Sequence, residues 1–155
     1  GAMADNSTFD DALKFAISRE EEAVAFYNKA ADLVKNAGSA TMCKEFATEE
    51  EKHVTLLQNA RQKHSVDAVG KRPLPPSMEL THYLVAEDIT DSSTPQDVMI
   101  LAMQKEDKAV AMYSDLLASG QASELDAVFQ SLVNMEKEHR ERLEAEYEKH
   151  FMPDN

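Results

Sequence analysis

The residues of this chain best equipped for chemistry are glutamates and histidines at fixed spacings. Glu50-Glu-Lys-His53 and Glu136-Lys-Glu-His139 each set a carboxylate three residues before an imidazole. On a helix, residues i and i+3 share a face about one turn apart, so the two side chains of each pair point together. Thirty residues before each pair stands a further glutamate, Glu20 or Glu106, itself seven residues ahead of a tyrosine, Tyr27 or Tyr113. Sliding the sequence against itself by 86 residues lays Glu20 on Glu106, Tyr27 on Tyr113, Glu50 on Glu136, His53 on His139 and Leu57 on Leu143. Duplication of a helical hairpin accounts for that constant offset. Carboxylates combined with imidazoles suit iron or manganese better than an ion that prefers thiolate. Glu79-Leu-Thr-His82 has the same local spacing but no counterpart at the offset, and is read as a decoy.

These residues act together only if helices bring them level. The first helical run begins near Ser7-Thr8, where a hydroxyl can cap and Asp10 and Asp11 favour the positive end of the dipole. Its apolar stripe carries Leu13, Ala16, Ile17, Ala23, Val24, Ala31 and Val34 at helical spacing, with Glu20 and Tyr27 on the same face. Gly38 suits a left-handed stop, and a second run extends from about Ser39 to His64, with Met42, Phe46, Glu50, His53 or Val54, and Leu57 inward. Pro73, Pro75 and Pro76 break the pattern within a connection of residues 65–94; residues 78–87 have room for one short helical turn. Thr94 caps a third helix with Pro95 in its first position, and that helix ends near Ser119-Gly120. A fourth runs from about Ser123 to Phe151. Short links make antiparallel neighbours, and a connection of this length can return along a helix of roughly 35 to 40 Å. The expected fold is all-α: an antiparallel four-helix bundle over residues 8–151 with one long crossover between helices two and three.

In such a bundle, residues equidistant from a hairpin turn lie level. Glu106 then sits beside Glu136, and Glu20 within a turn of His53, which gathers six candidate ligands into one layer. Two carboxylates about 5 Å apart repel by roughly 3 kcal/mol even at an effective dielectric near 20. Four facing inward must protonate, splay or capture cations. Two divalent ions cancel their charge, and the two imidazoles add neutral donors.

The two Glu-x-x-His pairs and the two upstream glutamates resemble the ferritin-like superfamily, most closely the erythrin domain of rubrerythrins, over residues 8 to 150. One glutamate from each of two helices and one Glu-x-x-His from each of the others is the ligand set of its di-metal bundles. The resemblance implies a metal site of Glu20, Glu50, His53, Glu106, Glu136 and His139 holding two iron ions, with manganese or zinc as substitutes. It implies reduction of hydrogen peroxide with electrons from a separate rubredoxin-like or flavin protein, or alternatively oxidation and handling of ferrous iron with oxygen. It also implies a homodimer. Two departures stand out. Typical rubrerythrins add a rubredoxin domain with paired Cys-x-x-Cys motifs, whereas this sequence holds one cysteine, Cys43. They also often carry a second glutamate three residues after the helix-three ligand, where Ala109 stands here.

Composition sets the outer limits. A net charge of -13 argues against nucleic acid and against an anionic membrane surface. No stretch approaches the roughly 20 apolar residues of a membrane span. The N-terminus lacks a secretory layout, Gly1-Ala2 before Met3 reads as an expression remnant, and residues 1–7 are expected to be disordered. A lone cysteine fits the reducing cytoplasm. Glu21, Glu22, Glu49, Glu51 and Glu138 flank the ligands off the inner face and read as solvated. Met99, Met103, Met112 and Met135 read as core filler, and Cys43 as a small buried hydrophobe. His64 and His150 are placed to meet carbonyls at helix ends. Tyr27 and Tyr113 lean back toward the carboxylate layer, where each phenol can support a ligand carboxylate.

Anaerobic loading should give two ferrous ions per chain. Glu50→Ala or Glu136→Ala should cut this sharply and Glu79→Ala should leave it unchanged, as read by metal analysis of desalted protein.

Overall fold

In the computed structural model, which describes residues 7–64 and 68–152, Thr8 opens the first helix. Its hydroxyl accepts from the Asp11 N–H at 3.2 Å while the Asp11 carboxylate accepts from the Thr8 N–H at 2.9 Å. This reciprocal box satisfies groups that a helix start otherwise leaves orphaned. Helix α1 spans Phe9–Leu33 and α2 spans Ala37–His64. The expected left-handed stop at Gly38 is not there: Gly38 lies in the first turn of α2, and Asn36 begins that helix by accepting from the Ser39 N–H at 3.0 Å. A Cβ on residue 38 would come within 3.1 Å of that Asn36 oxygen, so glycine here keeps the cap side chain in place. The left-handed glycine is Gly120, with φ of 64°.

Two small elements mark the crossover, α3 at Ala68–Lys71 and a 3₁₀ turn at Leu80–Tyr83. The second falls inside the stretch expected to hold a short turn. Residues 65–67 of the expected connection, and residues 1–6 of the expected disordered leader, lie outside the described residues. Ser7, by contrast, is held: its carbonyl accepts from the Leu74 N–H at 2.9 Å, and the Phe9 N–H donates to Arg72 O at 2.9 Å. Helix α4 spans Pro95–Ala118 with Thr94 as its cap. A 3₁₀ turn at Ser123–Leu125 leads into α5, Asp126–Phe151.

Side-chain pairs fix how the long helices run. Asp10–Arg61 and Glu20–His53 join α1 to α2, and Gln96–Tyr147 and Asp107–Arg140 join α4 to α5. Ser39–Glu146, Glu45–Arg142 and Glu49–His139 join α2 to α5, while Tyr27–Glu106 and Glu20–Tyr113 join α1 to α4. In every set one number rises as the other falls, so all these neighbours are antiparallel. Helices α2 and α4 therefore run the same way, and the crossover has to travel back the length of the bundle. At its start the Arg72 guanidinium reaches Glu124 and the Gln121 carbonyl at the α4–α5 turn, each at 3.0 Å. Further on, the Tyr83 hydroxyl donates to Asp115 at 2.5 Å and Lys108 to the His82 carbonyl at 3.2 Å.

The core comes in two apolar halves. One gathers Phe9, Leu13, Leu57, Leu116, Phe129 and Leu132; the other gathers Phe26, Phe46, Met99, Ala102 and Leu143. Between them lies a polar layer. The stripe expected on α1 is narrower than the real buried face: Phe26 is buried, with Lys105 over its ring at 5.1 Å, while Ile17, Ala23 and Val24 are half-buried. The four long helices form an antiparallel bundle, as expected, and no described helix is long and apolar enough to cross a membrane.

Thr94 accepts from the Asp97 N–H at 3.1 Å, the sole side-chain cap of α4. Thr94→Ala should cost about 1 kcal/mol, read from the urea midpoint of the metal-free protein.

Candidate metal centre

The polar layer consists of the six residues singled out by spacing. Glu20, Glu50, His53, Glu106, Glu136 and His139 are each at most 2 % exposed. One ligand atom from each of Glu20, Glu50, His53 and Glu136 falls within 4.8 Å of the others, and the same holds for Glu50, Glu106, Glu136 and His139. Glu50 and Glu136 belong to both groups, which is where carboxylates shared by two ions would stand. The remaining four divide evenly, Glu20 with His53 and Glu106 with His139. Among the described residues these are the only such groupings. Glu79 and His82 pair on the surface at 3.1 Å without a third partner of this kind.

The repeat seen in the sequence reappears as an approximate twofold. His53 Nδ1 lies 3.0 Å from Glu136 Oε1, and His139 Nδ1 lies 3.0 Å from Glu50 Oε1. The Tyr27 hydroxyl donates to Glu106 Oε1 at 2.5 Å and the Tyr113 hydroxyl to Glu20 Oε1 at 2.7 Å. Each tyrosine thus supports the glutamate of the opposite hairpin, not of its own helix. Burial, then the charges of Glu106 and Glu50, pushes the Tyr27 phenol well above its ordinary range. Burial and then Glu20 and Glu136 do the same to Tyr113. Both phenols therefore remain donors.

Seven buried atoms of the cluster have no properly directed hydrogen bond: Glu20 Oε2, both Glu50 oxygens, Glu106 Oε2, Glu136 Oε1, and Nδ1 of His53 and His139. Orphaned buried polar atoms are rare in folded proteins, and here they converge from four helices. Burial, then the neighbouring Glu20 charge, drives the Glu50 carboxyl well above the usual range; burial, then Glu106 and Glu20, does so to Glu136. For Glu20 burial also opposes ionisation, but the neighbouring Glu50 carboxyl and His53 imidazole outweigh it and hold its carboxyl below the usual range. Burial disfavours a charged His53, yet Glu136 and Glu20 outweigh it and raise the imidazole to about 9. His139 is raised in the same way by Glu106 and Glu49 against burial. Hard oxygen donors, imidazole nitrogens and unmet charge fit divalent first-row ions, and ions binding here would satisfy the orphaned atoms.

Two neighbours escaped the sequence reading. Glu49 was expected in solvent, but its carboxylate is hydrogen-bonded to His139 Nε2, with its side chain 41 % exposed. Met135 was expected as filler, but its sulfur lies 3.3 Å from His53 Nε2. Both positions lie at the edge of the inward face, and only the α2–α5 packing turns them toward a histidine. The imidazole of His150 also differs from expectation, pairing with the Glu146 carboxylate at 3.1 Å one turn back, where a formal charge competes better than a terminal carbonyl. Cys43 is buried, and burial, with the Glu146 charge, pushes its thiol up to about 12.

Openings flank the layer. On the α1–α4 side a cleft reaches Glu20 and Glu106, with Ala109 in its wall and Arg19, Lys105 and Lys108 among its lining. On the α2–α5 side a groove runs over the two imidazoles, lined also by Glu49, Lys52, Met135 and Glu138.

A buried layer of four glutamates and two histidines across an antiparallel helical bundle is a donor set suited to divalent metal ions. Residues 11–147 match the sequence model of rubrerythrin, and the chain belongs to the rubrerythrin family. It is similar to the solved structure of a hypothetical protein from Pyrococcus furiosus, at 29 % identity over 95 % of this chain and 92 % of that one, with a TM-score of 0.69. It also shares its fold with a Thermotoga maritima protein described as ferritin-like and diiron-carboxylate, at 21 % identity over 92 % and 95 % of the two chains, with a TM-score of 0.70. No curated protein matches it significantly.

The metal-free layer should show a distinctive pH response. Unfolding returns Glu50, Glu136, His53 and His139 to ordinary behaviour, so the folded chain holds protons on all four more tightly than the unfolded chain does. The linked stability is fully present below the unfolded pKa of each group and is lost as pH rises through the folded value, about 9 for His53. Glu20, shifted the other way, is constant above the usual carboxylate range. The melting temperature of the chelated protein should therefore fall from pH 6.5 to pH 9. The metal-loaded protein should not follow, since ions compete with those same protons, and by differential scanning calorimetry the gap between the two forms should widen with pH.

Proposed function

We propose that this protein is a di-iron oxidoreductase that reduces hydrogen peroxide to water with electrons from a separate donor protein. The observation that carries the reading is the pseudo-symmetric, buried layer of six ligands beside an open cleft. A purely structural site is coordinatively closed, whereas a working one keeps open positions; six protein ligands divided between two ions, as the two overlapping groups suggest, would leave such positions. Glu20, Glu50, His53, Glu106, Glu136 and His139 would hold the ions, with manganese or zinc as possible substitutes for iron. Two ferrous ions supply one electron each, which matches the two electrons and two protons that turn hydrogen peroxide into two waters.

The chain's own residues prepare the ground. Tyr27 and Tyr113 fix the orientation of Glu106 and Glu20 and keep their phenolic protons beside the layer, where a bound oxidant needs protons. The cleft past Ala109 admits a molecule as small as peroxide, and the lysines in its lining keep the entry from being uniformly acidic. The four carboxylates offset charge gained on oxidation. Restoring two electrons after turnover falls to a rubredoxin-like or flavin protein, and a surface with a net charge of -13 favours a donor with a basic patch. We place the protein in the cytoplasm as a homodimer that binds neither nucleic acid nor membrane.

Ala109 is the observation that favours a second reading, as a ferroxidase that handles iron with oxygen. The cleft wall lacks the additional carboxylate that rubrerythrins often carry there. Stopped-flow oxidation of the diferrous protein distinguishes the two. Peroxide should react faster than oxygen, and turnover should stop after one equivalent of peroxide unless a reductant is added. If oxygen reacts as fast and ferric product accumulates beyond two ions per chain, the ferroxidase reading replaces the first.

A further inference from the structure

The sequence repeat relates Glu49 to Met135 by the same 86-residue offset that relates the ligands. The two therefore occupy equivalent places, each against the outer nitrogen of the histidine donated by the facing helix. Glu49 hydrogen-bonds His139 Nε2; Met135 brings its sulfur to 3.3 Å from His53 Nε2. The inner nitrogen, Nδ1, faces the carboxylates in both cases. We infer that the two metal positions are chemically unequal, and that Glu49 is a positioning residue that makes the position of His139 and Glu106 the tighter one.

This rests on the di-metal reading above and adds the order in which the positions fill. A carboxylate accepting the outer N–H fixes the tautomer and ring orientation of a ligating imidazole and strengthens its donation to metal. A thioether is a weak acceptor and does little of either. A second asymmetry reinforces the first. Phe46 stacks on the His139 ring at 4.0 Å between centroids, whereas the repeat counterpart of Phe46 is Leu132, which has no ring to offer His53. His139 is thus clamped at edge and face, and His53 has neither clamp. The carboxylate half of the layer does not share the inequality, because each of Glu20 and Glu106 accepts from a buried tyrosine. The difference between the positions is confined to the histidine side, in the groove between α2 and α5.

Calorimetric titration of the metal-free protein with cobaltous ion tests this, alongside proton NMR of the cobalt-loaded protein. Wild type should take up two ions in two resolved steps and show one slowly exchanging, strongly shifted imidazole N–H. Glu49→Ala should weaken the tighter step by roughly 10- to 100-fold, spare the weaker one, and remove the slow N–H signal; Glu49→Gln, which keeps an acceptor oxygen, should restore that signal. Met135→Glu should tighten the weaker step and add a second slow N–H. Uptake of both ions in a single step with two equivalent N–H signals would overturn the inference, as would equal weakening of both steps by Glu49→Ala. If wild type takes up no cobalt at all, the di-metal reading itself falls, and this inference falls with it.

Discussion

Confinement of like charge at the centre of the bundle is the constraint on which the rest of the structure depends. Four carboxylates occupy one buried layer between two apolar halves of the core. Burial weakens solvent screening there, so the protein must balance them with protons, imidazoles and phenols, or with cations. The raised Glu50 and Glu136 carboxyls and the raised imidazoles of His53 and His139 are the protein's response in the absence of metal. The apolar halves above and below are what prevent relaxation. Phe46 on one side and Leu57 on the other, one turn from the ligands on α2, are both buried in these halves. Stability and function are opposed in this layer, and cation binding would reconcile them.

The approximate twofold distributes that burden. Each hairpin supplies one lone glutamate, one Glu-x-x-His pair and one tyrosine, yet no hairpin completes its own set of contacts. Tyr27 of the first supports Glu106 of the second, Tyr113 returns the favour to Glu20, and each histidine faces the paired glutamate of the other hairpin. The cross-hairpin contacts tie the site to the docking of the two halves, so ligand geometry and tertiary packing stand or fall together. The long crossover serves the same end. Held at one end by Ser7 and Phe9 and along its course by Asp115 and Lys108, it fixes the second hairpin against the first.

The two sides of the layer differ in what they expose. The α1–α4 side presents carboxylates and phenols to a cleft with Ala109 in its wall. The α2–α5 side presents the backs of the imidazoles to a groove lined by Glu49 and Met135, each set against an outer imidazole nitrogen. The repeat differs on the histidine side, Glu49 against Met135, while the tyrosine–glutamate contacts of the other side are matched.

Much of this was legible in the sequence, for a physical reason. Helical periodicity, caps and a constant offset are local or repeating properties, and they suffice to locate the four helices and the crossover to within about a turn and to single out the six residues that meet in the layer. Spacing even placed Tyr27 and Tyr113 near the carboxylates, because helix side chains lean one way. Gly38 was misread because the same residue suits the stop of one helix and the tight start of the next, and only the Asn36 cap distinguishes them. What no linear pattern carries is the rotation of one helix against another. That rotation decides that each tyrosine serves the opposite hairpin, that Glu49 turns from solvent onto His139, and that Met135 lies against His53. A shift of a few tens of degrees about the α2 axis would leave every motif intact and undo the Glu49 and Met135 contacts, as a like shift about α1 would undo those of the tyrosines. The sequence by itself determined which residues would form the layer; the packing of α2 against α5 decided how its two halves differ.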